Sequence, residues 1–300
     1  MNDIPEFLLE NIRNDYTDEL ANRIIEGYSK KRKTTFRVNT IKSNAEQIIS
    51  VLQNEGIKYC NVKWDNNAFI LEEDDEKRLQ ELEIYKNGEI YIQSLSSMLP
   101  PILLNPSKGE DILDMTAAPG GKTTQIAAIL NNEAQITACE INKIRTERLK
   151  YNIEKQGVNC VYVMNKDARQ IEDFFSFDKV LLDAPCSGSG TINIQDDNLN
   201  KIFNEQYLSK LLKAQTDLLK KAIKVLKPNK EMIYSTCSIL KCENEEIIEK
   251  VLGENVEIVP LEFKGMEDLP ILPTSIKGTL CLYPNEYYEG FFVAKLKKVI

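Results

Sequence analysis

Two cysteines stand out by their settings. Cys186 lies in Asp183-Ala184-Pro185-Cys186-Ser187-Gly188-Ser189-Gly190-Thr191, a run of loop formers, and Cys237 lies in Ser235-Thr236-Cys237-Ser238, just after an apolar segment. A cysteine among Pro, Gly and Ser is placed for chemistry more than for packing. Cys139 and Cys160 sit inside strand-like runs and read as inert core thiols. The chain has no histidine, which excludes Ser-His-Asp and Cys-His catalysis. A nucleophile or base must then be Cys, Asp, Glu, Lys, Tyr or a water. The seven cysteines include no C-x-x-C pair, so no metal site is expected.

A second constellation precedes the cysteines. Thr116, Ala117, Ala118, Pro119, Gly120, Gly121 and Lys122 follow the apolar DILDM segment and open a helical pattern. Glycines there let a backbone approach a ligand closely, and a helix N-terminus favours negative charge. A P-loop requires glycine where Thr116 stands, and no G-x-G-x-x-G occurs here. A plain Gly-rich turn, or a loop wrapping the methionine part of S-adenosylmethionine, remains. Glu140 closes the next strand pattern and Asp167 follows the one after it. One carboxylate can accept both ribose hydroxyls, and the other can reach an adenine amino group. Together they outline an adenosyl pocket.

These residues need strand ends to hold them. Strand patterns at 111–115, 135–140, 160–164, 178–184 and 231–236 alternate with helical ones, and TLCLYP and GFFVAKL supply two final strands. Alternating βαβ units predict an α/β fold with a mostly parallel, mixed, seven-stranded Rossmann-like sheet. Ligands bind beyond the C-terminal strand ends of such sheets, where every residue named above falls. Residues 1–90 read as a small α+β module, and 91–300 as the Rossmann-like domain. In the module, helical patterns span about 5–13 and 17–27, a strand spans 34–40, and Ser43 is expected to cap a helix. A strand-like stretch from Trp64 to Leu71 and an acidic helical segment at 73–84 follow. SLSSMLPPILL reads as a helix or turn broken at Pro-Pro.

Two thiols suit one methyl transfer well. Carbon 5 of cytosine is a poor nucleophile until a thiolate adds to carbon 6. The adduct must later lose the carbon 5 proton and expel the thiolate, for which a second thiol can serve. Asp183 is placed to act near ring nitrogen 3. Lys122 could hold Asp183 or lower a thiol pKa. The pattern alone leaves open which cysteine attacks.

At these residues the chain resembles the RsmB/Sun/Nop2-type family of RNA cytosine-5 methyltransferases. The matches are TAAPGGKT (116–123), DAR (167–169), DAPCSGSGT (183–191), YSTCSI (234–239) and ENEEII (243–248). FRVNTIK, YIQSLSSMLP and EGFFVAKLKK match more weakly. The resemblance implies S-adenosylmethionine as cofactor, contacts to it from residues 116–122, Glu140, Asp167 and Asp183, and rRNA or tRNA as substrate. It implies that Cys237 attacks and that Cys186 promotes breakdown of the adduct. The tail LYPNEYYEGFF lacks the histidine that relatives often carry and has Glu289 where they often have Asp.

The net charge of −8 says less about RNA than the charge distribution does. Between Tyr28 and Lys42 the chain carries Lys30, Lys31, Arg32, Lys33, Arg37 and Lys42 without an acid. Lys30 to Lys33, Arg37 and Asn39 are therefore candidate RNA contacts. With 42% hydrophobic and 28% charged residues, no long apolar run and no signal-peptide pattern, a cytoplasmic monomer without membrane contact is expected.

Overall fold

The computed structural model describes residues 4–194, 203–253 and 255–300. The chain begins with α1 (Glu6–Asp15) and α2 (Asp18–Ser29). Then follow β1 (Thr35–Val38), α3 (Ala45–Asn54), β2 (Tyr59–Val62), β3 (Asp65–Leu71), α4 (Glu76–Glu81), α5 (Glu83–Lys86) and β4 (Ile90–Ile92). The four strands form an antiparallel sheet in the order β2-β3-β1-β4. Its core stacks Phe36 on Phe69 with ring centroids 5.3 Å apart, and Ile48 and Leu52 of α3 pack beneath them.

The second sheet is built from β5 (Asp111–Asp114), β6 (Gln135–Cys139), β7 (Val161–Met164), β8 (Phe177–Asp183) and β9 (Leu226–Thr236). The helices α6 (Leu95–Leu104), α7 (Gly121–Ile129), α8 (Lys143–Lys155), α9 (Glu205–Val225) and α10 (Glu245–Glu249) accompany them. The strands β10 (Val256–Ile258), β11 (Ile271–Leu272), β12 (Leu280–Leu282) and β13 (Phe291–Lys298) complete it. The order is β11-β12-β13-β9-β8-β5-β6-β7, with β10 on β13. The five strands from β9 to β7 run parallel, and β13 and β12 are antiparallel. These are the seven strands legible in the sequence. The short β10 and β11 bring the described sheet to nine.

Val180, Leu181 and Leu182 of β8 are fully buried, as a strand covered on both faces requires. One stripe of α9 covers it, with Leu208, Gln215, Leu218, Leu219, Ala222 and Val225 buried at helical spacing. From β5 the chain winds one way to β6 and β7 and the other way to β8 and β9. The crevice of this switch lies beyond the ends of β5 and β8.

Several local expectations change. Pro100 and Pro101 do not break α6. Pro101 has no N–H for the Ser97 carbonyl, and Gln93 Nε2 donates to that oxygen instead, at 3.0 Å. Asn44, not Ser43, caps α3, accepting from the Gln47 N–H. The acidic segment forms two helices that meet at Leu82, in extended conformation. The helices α1 and α2 pack on the large sheet's core, not on the small sheet. The 90–91 boundary falls within β4, which pairs with β1.

Candidate active site

The loop after β5 ends at Gly120, whose φ of +110° a side chain rarely adopts. The loop lies between two cavities. The first, about 290 Å3, is lined by Thr116, Ala118, Glu140, Asp167, Asp183, Cys186 and Cys237, with Ile141 and Ala168 as apolar walls. The second, about 360 Å3, is lined by Ala117, Pro119, Gly121, Lys122, Tyr91, Gln93, Glu289 and Phe291. Thr116, Ala118, Asp183 and Cys237 line both. Of the loop residues expected to hold one cofactor, Thr116 and Ala118 line both spaces, Ala117, Pro119, Gly121 and Lys122 line only the second, and Gly120 lines neither.

Glu140 is nearly buried, and its Oε1 accepts from the Asn142 N–H at 2.8 Å. Arg169 holds both carboxylate oxygens of Asp167, with Nη2 2.6 Å from Oδ2. The hydrogen bond to Arg169 is the main reason the Asp167 carboxyl titrates below its usual range. An apolar slot rimmed by two carboxylates fits an adenosyl group: the rings would lie between Ile141 and Ala168, and Glu140 would accept from the ribose.

At the boundary of the cavities, Lys122 Nζ donates to Asp183 Oδ2 and to Ser97 Oγ, each at 2.7 Å. Ser235 Oγ donates to the other Asp183 oxygen at 2.7 Å. Burial disfavours the Lys122 charge, but Asp183 outweighs burial and raises its pKa. Phe291 lies beneath the ammonium, 5.5 Å from ring centroid to Nζ. Asp114 is buried, and burial pushes its carboxyl up to about 6, although Thr123 donates to it.

The sulfurs of Cys186 and Cys237 are 3.2 Å apart. The Cys237 contact and burial push the Cys186 thiol well up. Both loops are clamped from behind. Gly190 N–H donates to the Cys237 carbonyl at 3.0 Å, and its own carbonyl accepts from Gly290 N–H at 2.8 Å. Tyr28 OH donates to the Ser189 carbonyl at 2.7 Å, and Tyr16 OH to the Ile239 carbonyl at 2.5 Å. Glu243, fully buried, accepts from Ser187 N–H and Oγ. Sequence pattern alone assigns no role to Tyr16, Tyr28 or Glu243. Glu243 opens the matched ENEEII segment, but spacing alone does not say what it touches. Burial pushes Cys139 up to about 12, in line with an inert core thiol.

The basic stripe separates into two groups. Arg37 is 2% exposed and donates to Gln93 Oε1, the Gly121 carbonyl and Thr124 Oγ1 at 2.8–3.0 Å. Asn39 is fully buried and donates to the carbonyls of Gly88 and Gln156. Both side chains are buried, and their hydrogen bonds join the small sheet to the large domain. Arg32 is half-buried against the carbonyls of residues 190–192. Lys30, Lys31 and Lys33 reach solvent or its edge, bonded to Glu26, Asp74 and the Glu72 carbonyl. Among the described residues, no helix is long and apolar enough to cross a membrane.

A doubly wound sheet with an adenosyl-shaped slot and two thiols beside it defines a Rossmann-like methyltransferase. A family model described as 16S rRNA methyltransferase RsmB/F matches residues 101–297, and its ferredoxin-like domain model matches 4–75. The chain belongs to this RsmB/F methyltransferase family, whose cofactor is S-adenosylmethionine. It is 33% identical over 305 residues to ribosomal RNA small subunit methyltransferase F of Shewanella loihica, covering 97% of this chain and 62% of that protein. It is 35% identical over 309 residues to the Vibrio campbellii protein of the same name, covering 99% and 63%. The chain thus spans less than two thirds of these relatives' length. The solved structure of a methyltransferase homolog protein from Pyrococcus horikoshii aligns with a TM-score of 0.80 and 32% identity, covering 99% of this chain and 100% of that one.

Proposed function

We propose that this chain transfers a methyl group from S-adenosylmethionine to carbon 5 of a cytosine in RNA. The observation that carries this reading is the meeting of two cavities at Asp183 and Cys237, with Cys186 Sγ 3.2 Å from Cys237 Sγ. Thr116, Glu140 and Asp167 would hold S-adenosylmethionine, which would supply the methyl group when bound. The flipped base occupies the cavity of Lys122 and Phe291. The names of the relatives support small-subunit ribosomal RNA as the substrate.

Cys237 adds to carbon 6, and its proton passes by way of the Lys122–Asp183 pair to ring nitrogen 3. Carbon 5 is then electron-rich and takes the methyl group, and nitrogen 3 returns its proton to Asp183. Cys186 next gives its proton to the departing Cys237 sulfur and takes the proton from carbon 5. The carbon–sulfur bond breaks, the 5,6 double bond returns, and both thiols end protonated. The surroundings of the two sulfurs support this division: Cys237 shares a cavity with the Lys122–Asp183 pair, whereas Cys186 is followed by Ser187, which donates to Glu243.

Residues 1–90 act as the RNA-binding module in this reading, with Lys30, Lys31 and Lys33 as its phosphate contacts. Their exposed pairings are worth little, so phosphate can displace them. The test is a denaturation-resistant protein–RNA adduct. Cys186→Ala is expected to accumulate it and Cys237→Ala to form none. An adduct only with Cys237→Ala would reverse the roles. The absence of 5-methylcytosine in RNA incubated with wild-type protein and cofactor would reject the activity.

A further inference from the structure

Glu243 is a fully buried carboxylate outside both cavities. It accepts from Ser187 N–H at 2.8 Å, Ser187 Oγ at 2.5 Å and Gln215 Nε2 at 3.0 Å. Gln215 Nε2 also donates to the Pro185 carbonyl at 2.9 Å. The residues on both sides of Cys186 are therefore tied, directly or through Gln215, to one carboxylate. The Tyr234 hydroxyl donates to the Glu243 main-chain carbonyl at 2.6 Å, which anchors Glu243 itself.

We propose that Glu243 is a positioning residue that fixes the loop on both sides of Cys186 and keeps the proton on the Cys186 sulfur. The groups that face Cys186 are Cys237 just after β9, Tyr234 from β9, Tyr207 from α9, and Glu243. Any negative charge on these groups disfavours a Cys186 thiolate. Cys237, one sulfur contact further on, faces Lys122 across the second cavity. The Glu243 carboxyl thus lies behind the Cys186 loop, whereas the Lys122–Asp183 ion pair lies on the Cys237 side of the sulfur pair. In the Rossmann-like scaffold this asymmetry comes from the segment before α10, beyond the strand end that carries Cys237.

This inference rests on the proposed reaction only for the use made of the proton; where the proton sits can be measured without RNA or cofactor. Glu243→Gln keeps the shape: its Oε1 can accept from Ser187 N–H and Gln215, and its amide can donate to Ser187 Oγ. The full chain is labelled with limiting iodoacetamide from pH 6 to 10, and mass spectrometry reads Cys186 and Cys237 separately. In Glu243→Gln, Cys186 labelling at pH 8 is expected to rise about tenfold, the equivalent of a one-unit fall in apparent pKa. A folded Glu243→Gln with both labelling profiles unchanged would overturn the proposal. If that variant does not fold, Glu243→Asp carries the test. It keeps the charge but withdraws it by one methylene, so the Cys186 profile must move part of the way, and an unmoved profile again overturns the proposal. A shifted profile in a protein that forms no RNA adduct would reject the reaction and leave the role of Glu243 standing.

Discussion

Asp114 ends β5 beneath the cofactor loop, and its carboxyl is held at about 6 chiefly by burial, then by the nearby Asp183 charge. A folded-state pKa above the unfolded value stabilises the protein most at low pH, where both states hold the proton. That contribution is lost as pH rises from about 4 through about 6. Asn at this position can still accept from Thr123 but does not ionise. Between pH 4 and pH 7, Asp114→Asn should therefore gain stability relative to wild type, by roughly 3 kcal/mol. Urea unfolding at the two pH values measures this. A constant difference would show that Asp114 ionises in the folded protein as it does in the unfolded chain.

Two loops and a tail strand meet back to back at Gly190 and Gly290. A Cβ on Gly190 would lie 1.9 Å from the Gly290 carbonyl oxygen. Both partners are backbone, so the loop itself must move. Gly190 also donates to the Cys237 carbonyl, so movement there displaces the thiol. Gly190→Ala is expected to cost about 1–3 kcal/mol or more and to reduce methyl transfer far more than cofactor affinity. Gly253→Ala is the control, because nothing lies within 4 Å of its added Cβ. Thermal melts and cofactor titration separate the two effects. Equal melting temperatures for the two variants would count against the clamp.

The small sheet and the large domain are joined through Arg37, whose guanidinium reaches the first turn of α7. Lysine cannot reproduce that fork. Arg37→Lys should lower unfolding stability by about 2–4 kcal/mol and leave the salt dependence of RNA binding unchanged. Neutralising Lys30, Lys31 and Lys33 together should do the opposite: nearly wild-type stability and a smaller slope of log affinity against log salt. If the triple variant binds RNA with the wild-type slope, those lysines are only a solvated face.

The order of strands and helices, the Gly-rich loop after β5 and the loop placement of Cys186 and Cys237 were legible in the sequence. Local pattern governs these features: apolar runs make covered strands, Gly and Pro make loops, and a loop cysteine is readable as such. The proline pair in α6 misled because Gln93, nearby in the chain, takes up a carbonyl that the proline leaves bare. Arg37 and Asn39 misled for a different reason. A charged or polar residue in a basic run looks like surface until its partners, far along the chain, are known. The division of the loop between two cavities, the 3.2 Å approach of the two sulfurs and the carboxylate behind Cys186 also arise between distant segments. Spacing along a chain carries no information about such contacts. The neighbours of Cys186 and Cys237 in sequence placed both thiols in loops at strand ends, but that the two sulfurs meet, with Lys122 sharing a cavity with Cys237 and Glu243 bonded to Ser187 beside Cys186, only folding decided.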